Sequence, residues 1–292
     1  MKTGKPIIGA FYGAFPAPWP APAKLNLMLK ILGRRADGYH TLQSVFQFLD
    51  WGDEIFLRPR NDGTIHRLSE LPGVPPEQDL VVRAARLLKN RSGCRWGVDI
   101  AVHKRLPLGG GLGGGSSDAA TVLVALNQLW SLGMSREELA ALGLTLGADV
   151  PVFIHGRAAW AEGIGEQLTF FNPETPWYLV VVPPCPVSTA AVFQHPELTR
   201  DAAPTTIAGF LSGVRDNDCW RVVSRLYPPV SEAHAWLSQF AATSLTGTGG
   251  CVFAAFAEEA RARMLLRDIP RFFGGVVARG RNRSPLMDRL ID

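Results

Sequence analysis

Six glycines fall within seven residues at Gly109–Gly115, inside the stretch LPLGGGLGGGSS from Leu106 to Ser117. Glycine loses more backbone freedom on folding than any other residue, so such a concentration needs a physical reason. The stretch follows an alternating apolar segment and precedes SSDAATVLVALNQLW, where Ala119, Val122, Leu123, Leu126 and Trp130 recur at helical spacing. Ser116 or Ser117 is the expected N-cap, with Asp118 in the first turn. A glycine loop entering a helix offers backbone N–H groups and the positive end of the helix dipole to an anion, phosphate above all. It is not a Walker A loop, because Gly115-Ser116-Ser117 has no lysine. A G-x-G-x-x-G spacing exists at Gly109, Gly111 and Gly114, but a dinucleotide site also wants an acid ending a second strand. Glu137 and Glu138 stand instead in SREE, a capping box opening a further helix that Gly143 is expected to stop.

Two other places carry side chains suited to phosphoryl chemistry. In AKLNLMLKIL, Leu25, Leu27, Leu29 and Ile31 alternate with Lys24, Asn26, Met28 and Lys30, the pattern of a half-buried strand. Lys24 and Asn26 therefore project from one face. In GADVPVFIHG, Pro151 biases Val150 towards an extended backbone, which places Asp149 at a helix-to-strand junction. Phosphoryl transfer needs an oriented hydroxyl and neutralised charge more than covalent help. A carboxylate can take the hydroxyl proton, and an ammonium can offset phosphoryl charge.

The elements that must position these groups alternate between strands and helices. DEIFLRP and GVDIAVHKRLP read as strands, and QDLVVRAARLLKN between them as a helix with Asp79 as N-cap. RADGYHTL is a loop around an Asp37-Gly38 turn. WYLVVVPP is a buried strand, LTGTGGCVFAAF a glycine turn entering a strand, and VSEAHAWLSQFA and AEEARARMLLRDI are helical. The fold class is α+β, with a first domain over 22–162, a second over 163–292, and a flexible extension over 1–21. At 47% hydrophobic and 19% charged, the 292 residues are those of a globular chain. A net charge of +4 suits an anionic ligand, but without a Lys/Arg block or aromatic-basic repeat nucleic acid is not the expected partner. Four scattered cysteines without metal-ligand spacing, and no apolar run near the ~18 residues of a membrane span, favour a reduced cytoplasmic setting.

PLGGGLGGGSSDAA resembles the phosphate motif of the GHMP kinases, the superfamily of galactokinase, homoserine kinase and mevalonate kinase. PAKLNLMLKILGRRADGYHTLQSVFQFLDWGDEI, LTLGADVPVFIHGRAAWAEGIGE and LTGTGGCVFAAF resemble, in the same order, a branch of that superfamily acting on a cytidine-diphosphate-linked sugar alcohol. The resemblance covers the chain from about Pro22 to its end. It implies a two-domain fold, an N-terminal α/β domain with left-handed crossover and a C-terminal ferredoxin-like domain. It also implies ATP as co-substrate with Mg2+, and phosphorylation of the 2-hydroxyl of a cytidylyl methylerythritol in non-mevalonate isoprenoid synthesis. Carried over by position, Lys24 and Asp149 are the catalytic pair. Pro107, Leu108, Gly109, Gly110, Gly111, Leu112, Gly113, Gly114, Gly115, Ser116 and Ser117 bind ATP. Asn26, Tyr39, His40, Phe193 and Thr248 bind the substrate, with Tyr39 and Phe193 on the cytosine faces and His40 on its edge. Thr246, Gly247 and Gly249 complete the third motif, no metal cage is visible, and a monomer or weak homodimer is expected. A homoserine- or mevalonate-type kinase and a non-catalytic nucleotide sensor are the alternatives; ADGYH speaks against the first and the Lys24–Asp149 pair against the second. One departure stands out: Gln78-Asp79-Leu80 has aspartate where the family often has asparagine.

Overall fold

The computed structural model describes residues 15–290 except 70, 72, 73 and 76, so most of the expected N-terminal extension lies outside the described residues. Strands β1 (Trp19–Arg34) and β2 (His40–Arg60) form a long antiparallel hairpin around which the molecule is built. Its turn is set locally: Gly38 takes φ 90°, which a side chain would resist, and the Asp37 carboxylate accepts the Tyr39 N–H at 3.1 Å. β1 begins before Pro22, and Trp19 and Ala21 are buried, so the ordered chain starts earlier than the sequence reading placed it.

Alternation predicts one wet face for β1, yet every residue from Ala21 to Leu29 is buried. The strand runs through three cores in succession. Ala21 packs beneath the N-terminal helices, Leu25 and Met28 in the seam, and Leu29 and Ile31 in the second half. A register shift between Asn26 and Met28 breaks the strict two-residue period on the way.

In the first half, helix α1 (Leu80–Ser92) connects β3 (Ile65–Arg67) to its parallel neighbour β4 (Gly97–His103), which pairs with β2. Helices α2 (Gly114–Leu129), α3 (Arg136–Leu144) and α4 (Val150–His155) complete the cover over this part of the sheet. α3 opens on the expected capping box of Ser135 and Glu138 but runs through Gly143. A Cβ at Gly143 would lie 2.7 Å from the side chains of Ile154 and Val150, so this glycine permits close helix packing and does not end the helix. β5 (Ala159–Glu162) pairs with β2 and hairpins to β6 (Gln167–Phe170), so the chain stays with the first sheet past Gly163.

The second half runs β7 (Trp177–Val182), α5 (Thr189–Gln194), α6 (Ile207–Leu211), α7 (Trp220–Leu226), α8 (Pro228–Leu237), β8 (Thr243–Leu245), β9 (Val252–Phe256), α9 (Glu259–Arg267) and β10 (Gly274–Arg281). Its strands are antiparallel in the order β10-β7-β9-β8, the β-α-β-β-α-β ferredoxin-like arrangement. β10 continues onto β2 through Gly280–Leu49 and Arg281–Phe48, so both halves share one open sheet. Buried Gln47 secures that join by donating to the Glu174 carbonyl and Asn282 Oδ1, both at 2.8 Å, and accepting from the Tyr178 hydroxyl at 2.7 Å. The chain thus has the mixed α/β two-part architecture the resemblance implied.

Candidate active site

The glycine stretch passes from β4 into α2 along the seam between the halves. α2 starts at Gly114, with Gly113 as N-cap at φ 72° and no side-chain cap, so neither Ser116 nor Ser117 caps the helix. The first helical bond is donated by Ser117 to the Gly113 carbonyl at 2.8 Å. The N–H groups of Gly114, Gly115 and Ser116 therefore stand outside the ladder, as an anion site requires. Gly111 takes φ 74°, and a Cβ there would lie 2.1 Å from the Thr246 carbonyl, so the loop lies directly on the third motif. Asp118 falls beyond the first turn. It is buried and accepts from Lys104 Nζ at 2.8 Å; burial pushes its carboxyl up, and the Lys104 ammonium opposes the rise. Lys104 also bonds buried Asp53, whose carboxylate accepts the Leu106 N–H at 2.8 Å and so anchors the start of the loop.

Asp149 lies in a helical connection, contrary to the strand expected after it: it is the N-cap of α4, with Pro151 in the first turn. Proline is tolerated there because its missing N–H would be unused. The Asp149 side chain makes no capping bond and points to Lys24, with Oδ2 3.4 Å from Nζ. Lys24 is only 3% exposed. Its ammonium donates to Asn26 Oδ1 and, at 3.1 Å, to the Gly111 carbonyl, while its backbone N–H bonds Leu112 at 3.0 Å. The ammonium thus joins the glycine loop to the acid.

Asn26 has its orientation dictated from behind. Its Nδ2 donates to Ser44 Oγ at 2.7 Å, and Ser44 Oγ donates to the Met28 carbonyl at 2.7 Å, so Oδ1 must face Lys24. Thr246 Oγ1 accepts the Asn26 backbone N–H and donates to the Gly111 carbonyl, both at 3.1 Å.

A cavity of about 540 Å³ gathers these groups. Lys24, Asn26, Tyr39, His40, Pro107–Ser116, Asp149, Phe193 and Thr248 all line it, whereas Ser117 lies buried beneath the loop. Tyr39 sits at the rim, 57% exposed. Phe193 stacks on His40 at 5.0 Å and 22°, too close for a base to enter between them. Burial, with the Arg200 and Arg34 charges, holds the His40 imidazole below its usual range. Thr248 Oγ1 meets Thr189 Oγ1 at 2.9 Å.

The sequence reading missed Lys104, Leu80 and Thr189 on the cavity wall, and Ser44 behind it. Lys104 had a signal, as one of two cations, with Arg105, just before the glycine stretch; Ser44 had none, since its role exists only through strand pairing. Oxygen donors facing the cavity, the Asp149 carboxylate and the Ser116 hydroxyl, suit a hard cation shared with ligand phosphates. Among the described residues no group of three metal-binding side chains forms a cage of its own.

The sequence profile "GHMP kinases N terminal domain" matches residues 79–157 and "GHMP kinases C terminal" matches 210–275. The chain is 58% identical over 272 residues to 4-diphosphocytidyl-2-C-methyl-D-erythritol kinase of Nitrosococcus oceani, covering 93% of this chain and 97% of that one. The same enzyme of Alkalilimnicola ehrlichii is 59% identical, covering 93% and 94%. A crystal structure of 4-(cytidine 5'-diphospho)-2C-methyl-D-erythritol kinase superposes with a TM-score of 0.79 at 32% identity, covering 90% of this chain and 98% of the other. Homoserine kinase from Cytophaga hutchinsonii, at 18% identity, 92% and 95% coverage and a TM-score of 0.63, shares the fold. With its glycine loop at a helix start, its facing lysine and aspartate and these relatives, the chain belongs to the GHMP kinases and, within them, to the 4-diphosphocytidyl-2-C-methyl-D-erythritol kinase family.

Proposed function

We propose that this chain transfers the γ-phosphoryl group of ATP to the 2-hydroxyl of 4-diphosphocytidyl-2-C-methyl-D-erythritol. The observation that carries the reading is the placement of Lys24 and Asp149 in one cavity, between the start of α2 and the aromatic group of Tyr39, His40 and Phe193. The first end suits the ATP phosphates, held by the N–H groups of Gly114, Gly115 and Ser116 and by the helix dipole. The second end suits the cytosine, whose π-face stacks on an aromatic ring.

Between them Asp149 accepts the proton of the substrate hydroxyl as its oxygen bonds the γ-phosphorus. The bond from that phosphorus to the β-phosphate oxygen breaks, and ADP leaves. Lys24, fixed by Asn26 and the Gly111 carbonyl, presents its charge where the transferred group is negative. A bound Mg2+ would neutralise phosphate charge, with Asp149 and Ser116 as its protein oxygens. A cytoplasmic monomer or weak homodimer using no nucleic acid belongs to the same reading. Its reducing setting is supported by four free cysteines, and among the described residues no helix is long and apolar enough to cross a membrane.

The test is phosphorus NMR of the protein with Mg-ATP and the cytidylyl substrate, where a new monophosphate ester resonance is expected. Parallel reactions with homoserine and mevalonate should show none. A product from either of those, or from no acceptor at all, would overturn the reading.

A further inference from the structure

The polar wall of the cavity holds one histidine whose proton can be located from its neighbours. Arg200, in the segment after α5, directs Nε at His40 Nε2, 3.2 Å away. A guanidinium has only donors and stays charged, so the nitrogen facing it must be the bare, accepting one. The proton of the neutral ring then sits on Nδ1. Among the described residues Nδ1 has no hydrogen-bond partner, although His40 is 93% buried and its ring lines the cavity.

Arg200 is itself held rigidly. Its Nη2 donates to the carbonyls of Phe193 at 2.9 Å and His195 at 2.8 Å, and its Nη1 to that of Leu198 at 3.2 Å. The same guanidinium therefore grips the chain that carries Phe193, the ring stacked on His40. Among the described residues no carboxylate forms an ion pair with Arg200, so its full charge faces the imidazole. The other charge acting there is Arg34, paired across the hairpin with His40. Arg35 and Asp37 in the adjoining turn neutralise each other.

We propose that Arg200 is a positioning residue for substrate specificity: it fixes His40 as the Nδ1–H tautomer, an obligatory hydrogen-bond donor towards an acceptor on the pyrimidine edge of the ligand. This rests on the cytidylyl reading above and assigns that ligand an acceptor, the cytosine N3 or O2, opposite His40. Burial and the two arginines keep the ring neutral, so its donor pattern stays constant across neutral pH.

The proposal is tested first on the intact protein by nitrogen-proton correlation spectra of the His40 imidazole. The Nδ1–H tautomer is expected at pH 7 to 8, with titration only below the ordinary imidazole range, whether or not the protein turns over the cytidylyl substrate. An Nε2–H ring, or one that titrates near pH 6.5, would overturn it.

The second test is kinetic. Arg200→Gln releases the tautomer, and the KM for the cytidylyl substrate should rise about tenfold at pH 8, the worth of one neutral hydrogen bond. The kcat and the KM for ATP should stay within twofold. At pH 6 the defect should shrink, because an imidazolium again donates from Nδ1, and Arg200→Lys should recover part of the loss. A defect equal at both pH values, or shared by ATP, would mean that Arg200 serves packing alone.

Discussion

Lys24 and Asp149 are 125 positions apart in sequence and 3.4 Å apart in space, and their surroundings differ. Lys24 is sealed among Asn26, the Gly111 carbonyl and the Phe46 ring, whereas Asp149 is 34% exposed towards the cavity. The acid can therefore be altered with little structural effect. Asp149→Asn should lower kcat about 100-fold or more, the scale of a lost general base, with the KM for ATP and the Tm nearly unchanged. Retention of a tenth of the wild-type kcat in a steady-state assay would remove Asp149 from the reaction. Lys24→Ala should lose comparable activity and stability as well, because it leaves the buried Asn26 Oδ1 without its donor.

Within the glycine loop, backbone conformation separates neighbours that look alike in sequence. Gly113 has φ 72°, and a Cβ there would lie 2.8 Å from the Phe153 ring and 3.1 Å from Lys24 Cε. Gly114 begins α2 without positive φ, and its Cβ would meet nothing nearer than 3.4 Å. Gly113→Ala should therefore lower stability by about 2 kcal/mol or more and depress kcat through Lys24. Gly114→Val should leave the fold nearly intact and raise the KM for ATP by crowding the helix start; thermal melts with steady-state kinetics separate the two. An equal loss of stability in both variants would show that φ is not what distinguishes these positions. At α1, Asp79 caps the helix through the Val81 N–H at 3.0 Å and also pairs with buried Arg67. A cap alone is worth about 1 kcal/mol. Removing one member of a buried ion pair costs about 3–5 kcal/mol. Asp79→Ala should fall in the second range by urea unfolding, and Arg67→Met/Asp79→Ala should recover part of the loss. A loss near 1 kcal/mol would leave Asp79 a cap and nothing more.

On the scale of the whole molecule, pH couples to folding through groups that the fold desolvates. His234 stacks on Trp220 at 4.0 Å, and its burial lowers its pKa despite a hydrogen bond to the Thr243 carbonyl. A histidine whose folded pKa lies below its unfolded value binds fewer protons when folded. It therefore withdraws stability as pH falls through about 6.5. Asp118, pushed up by burial, acts in the opposite sense over the same range, so the histidine contribution must be isolated by difference. His234→Phe keeps an aromatic stack and should lose less Tm than the wild type between pH 7.5 and 5.5. An identical change in calorimetry would mean that His234 takes no part in the acid response.

What the sequence determined by itself was local or carried by motif. The glycine stretch entering a helix, the Asp37-Gly38 turn, the Asp79 cap and the shared face of Lys24 and Asn26 each depend on neighbours within a few residues, and each is present in the structure, although that helix is buried on every face from Ser117 to Leu126 and has no wet side. The family motifs then brought distant segments into one expected site, and the family assignment agrees with the relatives found. The tertiary structure decided the rest. β1 lost its wet face because the sheet is covered on both sides, which no alternation within one strand reports. Val150 became helical because packing against α2 and α3 outweighs the local bias of a following proline. Ser44 and Arg200 act on the site only through partners 18 and 160 residues away in sequence, and Lys104 is held on the cavity wall by Asp53, 51 residues away. Hydrogen-bond directions of that kind are set when the chain closes on itself, which is why the sequence pointed to the proposed reacting groups while the fold determined how they are aimed.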